Sequence, residues 1–247
     1  MTFLEAIAVT AAGFAAGGVN AIVGSGSLIT FPVLLAVGYP SVVANVSNTV
    51  GLVPGGVSGV IGYRRELEGQ WRRALILACG TSAGALIGGI LLLELPSSVF
   101  DAVVPILILL AVVLMALPKR TPTQQHADHD NLVGGTAASF STGIYGGYFG
   151  AAQGIILMSL LRFCFADDLQ RLNGLKNVLA GVANGVAAIL FIAVAGVAWE
   201  AAALIAVGSV VGAQVGARYG RHIPSEVLRW IVVIGGFTVA VILLLTR

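Results

Sequence analysis

Long apolar segments separated by short polar turns run along the whole chain. Because a membrane helix needs about 20 apolar residues, each long segment predicts a helix that crosses a bilayer. Two shorter apolar pieces, 27–37 and 153–163, follow the first and fifth long segments and predict half-helices or re-entrant pieces. The pattern is typical of an all-α polytopic membrane protein, whose long segments lie at about 4–23, 41–62, 73–93, 98–117, 131–149, 172–195, 200–217 and 225–245.

The sequence also repeats itself once. Residues 14–27 return as 140–153, an offset of 126 residues, and the later matches keep an offset between 126 and 129. Asn48, for example, matches Asn177. A period of half the chain indicates a duplicated membrane unit, which is common in transporters. We therefore expect a first membrane repeat at 1–118, a cytoplasmic linker at 119–130 and a second membrane repeat at 131–247.

Composition supports the bilayer as the solvent. Hydrophobic residues make up 57% of the 247 residues and charged residues only 10%, whereas soluble domains carry about 25% charged residues. The net charge of +2 is too small to suggest nucleic acid. Cys79 and Cys164 lie in apolar runs without metal-like spacing, so both are expected to be small buried hydrophobes. No basic stretch precedes the first segment, so no cleaved signal peptide is expected.

Basic residues predict the orientation. The loops 63–73 and 162–171 and the central linker carry most of them, whereas the loops 38–40, 94–97 and 196–200 carry none. If each short piece completes a crossing, the charged loops lie inside and the bare loops and both termini outside, in the inner membrane of the cell.

The same charge pattern bears on the two repeats. The basic loop 63–73 then matches the bare loop 196–200, which indicates two inverted-topology repeats, each with about four full helices and one short piece. If the short pieces re-enter instead, each repeat has four crossings and the inversion fails.

Two Gly-rich breaks, at 24–27 and 146–154, precede the short pieces. Glycine permits close approach of an anion to backbone N–H groups, and the following helix presents its positive end; the alternative is that these glycines only allow tight helix packing. Asparagines cluster near the start of the next helix of each repeat, beside Lys176, which either attracts an anionic substrate or extends to the interface. The expected substrate-binding residues are Asn20, Gly24, Ser25, Gly26, Ser27, Asn45, Asn48, Gly150, Gln153, Asn173, Lys176 and Asn177.

Other chemistry is not indicated. No Asp or Glu lies at the centre of a segment, so neither a carboxylate proton relay nor a divalent cation site is visible. His126 and His129 in the linker are expected to be solvated polar residues rather than metal ligands. No nucleotide-binding motif or catalytic set appears, so the sequence predicts a protein that is not an enzyme and has no metal and no cofactor.

The stretch from Gly17 to Pro32 reads GGVNAIVGSGSLITFP. It resembles the Gly-rich, Pro-terminated motif of the TauE/SafE family of membrane permeases, and the resemblance extends over nearly the full length. The resemblance implies export or uptake of small sulfur-containing anions, such as sulfite, sulfoacetate or other organosulfonates. Two departures bear on the substrate: the first motif has Ser25 and Ser27 where members often show glycines, and the second copy has Ser159 where a proline is expected.

The resulting hypothesis is a secondary transporter, an exporter of such anions, that works by alternating access at the repeat interface. A passive anion channel through the same cavity is the alternative, and a membrane scaffold with a structural duplication is a third reading. The expected partners are the small anion, the lipid bilayer, a coupling ion that is either a proton or sodium, and a second copy of the chain in a homo-oligomer.

Overall fold

The computed structural model describes residues 1–116 and 130–219, together with Val233 and Phe237. This part of the chain is all-helical. The last predicted segment, 225–245, and nearly all of the predicted linker, with His126 and His129, lie outside the described residues apart from the positions just named. The helices are α1 Phe3–Ile22, α2 Ser27–Ala36, α3 Ser41–Gly62, α4 Trp71–Glu94, α5 Ser97–Ala116, α6 Leu132–Tyr148, α7 Gln153–Cys164, α8 Leu169–Val194 and α9 Trp199–Tyr219.

Every described helix begins and ends within a few residues of its predicted segment. Among the described residues, α1, α4, α8 and α9 are long and apolar enough to cross a membrane. Helix α3 has 22 residues, but the polar side chains of Asn45, Asn48 and Thr49 lower its hydropathy. All three are buried, because a polar side chain in a membrane helix is accommodated inside the bundle rather than against lipid.

The contacts of the loops define two ends of the bundle. At the end that we call the Met1 end, the Met1 amino group lies 3.5 Å from Glu200, and Ser41 donates a hydrogen bond to Asp101. The backbone N–H of Ala198 also donates to Ser47 near the start of α3, at 2.8 Å. Helix α1 therefore begins at the Met1 end, and α2, which leads directly into α3, ends there.

The opposite end, which we call the Arg73 end, carries the basic loops. Arg73 pairs with Asp130 and Asp167 here, and the backbone N–H of Asn131 donates to the carbonyl of Cys164 at 2.9 Å. Helix α6 thus begins where α7 ends. The pairs α1–α2 and α6–α7 are two helical hairpins that enter the bundle from opposite ends.

Close helix pairs hold the hairpins in place. Helix α1 packs along α9, and α6 packs along α4. A Cβ atom added to Gly84 of α4 would collide with the backbone of Phe140 on α6, and one added to Gly212 of α9 would collide with Phe14 on α1. Small residues let the backbones approach, which is a principal source of helix association in membranes.

The largest buried cluster joins the two hairpins. The ring of Phe31 on α2 meets that of Phe149 edge-on, with centroids 5.2 Å apart, and Phe100 of α5 lies 5.9 Å from Phe149. Edge-to-face geometry is the favoured arrangement of buried aromatic pairs. These rings pack the middle of α2 against the second break.

The two cysteines differ in their surroundings. Cys164 is buried, as the sequence predicts, but Cys79 is exposed on α4, so that part of the prediction was wrong. An apolar run does not distinguish a residue that tolerates lipid from one that lies in the protein core. The outward side of α4 is apolar because it tolerates lipid.

Candidate functional site

The first break follows the last turn of α1. Two backbone N–H groups, of Val23 at 2.7 Å and Gly24 at 3.1 Å, donate to the Val19 carbonyl and end the helix. Gly24 then takes φ = +87°, a conformation that favours glycine. The last carbonyls of a helix have no partner within it, so those of Asn20 and Ala21 need donors from elsewhere.

Helix α8 supplies these donors. The Lys176 ammonium donates to the carbonyls of Asn20 at 3.2 Å and Ala21 at 3.4 Å. The amide groups of Asn173 and Asn177 donate to the Ala21 carbonyl at 3.3 Å and 3.0 Å. A positive group is electrostatically favourable at a helix C-terminus, and these two carbonyls of α1 are satisfied by side chains of the second half of the chain.

Lys176 is a basic side chain inside the bundle. Only 1% of the residue is exposed, and it is absent from the ion pairs of the described residues. Its side chain therefore points toward the end of α1 and not to the solvent at the Arg73 end, which was the alternative left open by the sequence. A buried charge is costly unless it is paired, and here uncharged carbonyl oxygens are its described partners.

The second break has the same hydrogen-bond pattern. The Tyr145 carbonyl accepts the N–H groups of Phe149 at 2.9 Å and Gly150 at 3.0 Å, and Gly150 takes φ = +74°. The donor to the end of α6 comes from the first half of the chain, because the Asn45 amide donates to the Tyr148 carbonyl at 3.0 Å.

The two breaks meet. The N–H group of Gly154 donates to the carbonyl of Gly24 at 3.0 Å, and a Cβ atom on Gly24 would lie 2.5 Å from the Gly154 Cα atom. The aliphatic part of Lys176 also approaches Gly154, with its Cδ atom 3.1 Å from where a Cβ would stand. Both positions therefore require glycine, because a side chain at either one would collide with its neighbours. Gly24 also requires glycine because of its positive φ angle.

Asn48 and Asn20 hold the start of α2. The Asn48 amide donates to the Ser27 hydroxyl at 3.1 Å and accepts from the Thr30 hydroxyl. The Asn20 side chain accepts a long hydrogen bond of 3.5 Å from the Gly26 N–H. Sequence reasoning missed Thr30, although a hydroxyl inside a short apolar piece was a signal that could have identified it.

Gln153 does not join the Lys176 group. Its amide donates to the Thr142 carbonyl at 3.1 Å, within its own hairpin. The predicted residues therefore separate into two sets. The set at the end of α1 is Asn20, Gly24, Ser25, Gly26, Ser27, Asn48, Asn173, Lys176 and Asn177; the set at the end of α6 is Asn45, Gly150 and Gln153.

Three buried polar atoms in these sets have no hydrogen-bond partner among the described residues: the Ser25 hydroxyl, the Asn45 amide oxygen and the Asn173 amide oxygen. Buried polar groups are nearly always paired in native proteins, by protein or by bound molecules. These atoms are therefore the hydrogen-bonding positions of the two sets that a bound molecule could use.

A cluster of charged side chains lies at the Arg73 end of the bundle. Asp167 accepts hydrogen bonds from Arg73 and, at 3.0 Å, from Arg171. Burial alone would raise the pKa of the Asp167 carboxyl, but the hydrogen bonds and charges of the two guanidinium groups outweigh it and hold that pKa below its usual value. The cluster links α4, α8 and the start of the second hairpin.

A cleft of about 340 Å³ opens between α4, α5 and α6. Its lining is almost wholly apolar and does not include Lys176 or the start of α2, so it is unsuited to an anion. The lining residues are Leu91, Val103, Leu107, Ser141, Ile144, Tyr145 and Tyr148.

Known proteins that are similar to this chain indicate the class of protein. The chain is 26% identical to a probable membrane transporter protein, ORF9, of Sinorhizobium sp. over 94% of this chain and 90% of that protein. It is equally identical to a probable membrane transporter protein of Haemophilus influenzae, over 91% and 89% of the two chains, and to the probable membrane transporter protein YfcA of Escherichia coli K12, over 89% and 82%.

The family follows from a match over most of the length. Residues 9–243 match the family described as sulfite exporter TauE/SafE. The chain belongs to this family and is a membrane transporter. No solved structure matches it.

Proposed function

We propose that this protein is a secondary transporter that exports small sulfur-containing anions, such as sulfite or organosulfonates, across the inner membrane by alternating access. The observation that carries the proposal is the buried ammonium of Lys176, whose described partners are two backbone carbonyls. Because no carboxylate among the described residues balances its charge, a bound anion would complete the site.

The surroundings of Lys176 suit an oxyanion. The Ser25 hydroxyl is buried and has no hydrogen-bond partner among the residues that the structure describes, and it lies in the break just before α2. A helix N-terminus directs N–H groups and a positive partial charge toward an anion. Asn20 connects Lys176 with the start of α2, since its carbonyl accepts from Lys176 and its side chain accepts from Gly26. Hydroxyl, ammonium and N–H donors match the acceptor oxygens of a sulfite or sulfonate group.

Paired helix contacts support two inverted repeats. Helix α1 packs along α9, and their repeat counterparts α6 and α4 pack along each other. The close approach of Gly84 to Phe140 has its counterpart in that of Gly212 to Phe14. The first hairpin enters from the Met1 end and the second from the Arg73 end. Rocking of one repeat against the other would then expose a site between the breaks to alternate sides.

The distribution of basic residues supports one orientation of the protein in the membrane. Of the eight Lys and Arg residues in the described part of the chain, seven lie at the Arg73 end and the eighth is the buried Lys176. Cytoplasmic loops of membrane proteins are enriched in Lys and Arg. The proposal therefore places the Arg73 end in the cytoplasm and the Met1 end outside the inner membrane.

Transport by purified protein in proteoliposomes tests the proposal. Labelled sulfite and a taurine-like sulfonate are loaded on one side, and flux is measured with and without proton and sodium gradients. We expect saturable flux that Lys176→Gln reduces at least about tenfold, since a lost charge–anion contact is worth more than 1.4 kcal/mol. Arg65→Gln removes the same charge from an exposed position and is expected to leave the flux unchanged.

Two outcomes would contradict the proposal. One is the absence of flux of every tested anion under every gradient by protein that remains folded. The other is flux far above typical carrier turnover without saturation, which would favour the anion channel instead.

A further inference from the structure

The ends of α1 and α6 match in their hydrogen bonds but differ in one component. In both, a single carbonyl, of Val19 in α1 or Tyr145 in α6, accepts two backbone N–H groups and ends the helix. The next two carbonyls of α1, those of Asn20 and Ala21, receive the Lys176 ammonium. At the offset of 126 residues, their counterparts in α6 are the carbonyls of Gly146 and Gly147.

No Lys or Arg side chain in the described part of the chain has a hydrogen bond to the α6 end. Among the described hydrogen bonds, none has the carbonyl of Gly146 or Gly147 as its acceptor. At offsets of 128 and 129, the positions matching Lys176 are Asn48 and Ser47, and the groups of both contact other partners. Within the described ranges, the negative end of the α6 dipole therefore has no counterpart of the positive group at the α1 end.

A buried oxygen is also available there. Asn45 is 1% exposed, and its donor group is committed to the Tyr148 carbonyl at 3.0 Å. This hydrogen bond places the amide oxygen of Asn45 at the same helix end, and that oxygen has no partner among the described residues. The Gln153 side chain packs against Gly146 and brings a further amide to the same place.

We propose that the end of α6 binds a monovalent metal cation of the size of Na⁺, held by the Asn45 amide oxygen and the last carbonyls of α6. The ion takes the place that the Lys176 ammonium takes at the end of α1. Uncharged oxygens at a broken-helix C-terminus are typical ligands of Na⁺ in transporters, whereas divalent cations favour carboxylates, and the described residues contain no cluster of acidic, His or Cys side chains for such an ion.

The proposal that the ion binds is supported by these contacts alone. The proposal that it serves as the coupling ion rests on the transport function proposed above. The two are separable by experiment. Sodium binding without anion flux would refute the transporter proposal and leave the site intact, whereas sulfite flux by a protein that does not bind sodium would refute the site and leave the transporter intact.

Thermal unfolding of the purified full-length protein in detergent tests the site. The chloride salts of Na⁺, K⁺ and choline are compared at equal ionic strength, so that general salt effects cancel. A ligand that binds only the native state raises its apparent stability, and we expect a saturable rise in Tm of at least about 2 °C with Na⁺, a smaller one with K⁺ and none with choline. Equal Tm values in Na⁺ and choline would overturn the proposal.

A pair of variants locates the ion. Asn45→Ala is expected to abolish the Na⁺-dependent rise, and Asn173→Ala, the counterpart at the α1 end, is expected to keep it because Lys176 already serves that end. The same Na⁺ response in both variants would overturn the assignment. If Asn45→Ala does not fold, Asn45→Asp replaces it: the added carboxylate should lower the half-saturating Na⁺ concentration several-fold, and an unchanged value would equally overturn the site.

Discussion

Gly154 donates its backbone N–H group to the carbonyl of Gly24 at 3.0 Å, so the two breaks in the helices share a hydrogen bond. The residues come from opposite halves of the chain and from hairpins that enter from opposite ends. A motion that separates the halves at this point would have to break this bond. Substitutions at Gly24 or Gly154 therefore test whether the two breaks are in contact.

Gly24→Ala is expected to destabilise the protein by about 3 kcal/mol. The left-handed backbone at Gly24 adds about 1–2 kcal/mol of strain for any other residue, and the collision of its Cβ with the Gly154 backbone adds an overpacking cost. Gly38→Ala is the control, because Gly38 has φ = +99° but open space around it. Thermal unfolding of both variants measures the difference, and equal losses would show that the contact with Gly154 is unimportant.

Gly84→Ala and Gly212→Ala are each expected to weaken the bundle by about 1–3 kcal/mol, since the added methyl group meets backbone atoms of the neighbouring helix. Gly181 lies inside α8 with nothing within 4 Å of its Cβ position. Gly181→Ala should therefore stabilise the protein by up to about 1 kcal/mol, because alanine favours a helix. Resistance to unfolding in detergent distinguishes the two directions, and loss of stability in all three variants would contradict this account.

The Asp167 cluster predicts acid sensitivity at the Arg73 end. The pKa of Asp167 is lower in the folded protein than in the unfolded chain, so its contribution to stability is present above the unfolded value of about 3.9 and is lost as the pH falls through the folded value. Asp167→Asn should lower the free energy of unfolding at pH 7 by about 2 kcal/mol and flatten its decline at acid pH.

Asp168→Asn serves as the control for that experiment. Asp168 caps the start of α8 by accepting from the N–H groups of Gln170 and Arg171, and asparagine caps a helix about as well. The charge lost is the same, but the acid dependence should remain close to that of the wild type. If both variants flatten the profile equally, the effect belongs to net charge and not to the pairing of Asp167.

Asn48 is expected to act on stability through α2. Its amide contacts the hydroxyls of Ser27 and Thr30, so Asn48→Ala should cost about 1–3 kcal/mol by removing one hydrogen bond from each of them. A double-mutant cycle with Thr30→Val should give a coupling energy above about 0.5 kcal/mol. Asn184→Ala removes a half-buried amide from α8 and is the control; additive effects of Asn48 and Thr30 would refute the link.

The proposed orientation is testable by labelling. In a Cys79→Ser, Cys164→Ala background, Arg65→Cys at the Arg73 end and Ser98→Cys at the Met1 end are both exposed. A membrane-impermeant thiol reagent added to intact spheroplasts should label the variant at position 98 and spare the one at position 65. The reverse result would place the Arg73 end outside and contradict the orientation derived from the arginines.

The sequence predicts the helices well because each apolar run is limited by glycine, proline or charge, and those residues determine where a membrane helix ends. It also indicates both breaks, since Gly24 and Gly150 stand between segments of unequal length. The direction of Lys176 is not predictable in this way: a residue one or two turns inside a helix points to lipid, solvent or protein according to helix rotation, which packing decides. Exposure of Cys79 was missed for the same reason.

The donors that complete α1 are encoded far from it. The amides of Asn173 and Asn177 are 152 and 156 residues away from Ala21, whose carbonyl they satisfy. An unpaired carbonyl in a bilayer costs several kcal/mol. On the ribosome, the first hairpin is consequently unfinished until α8 has been synthesised and inserted, so the amino-terminal part of this chain reaches its final structure only after most of the protein has been made.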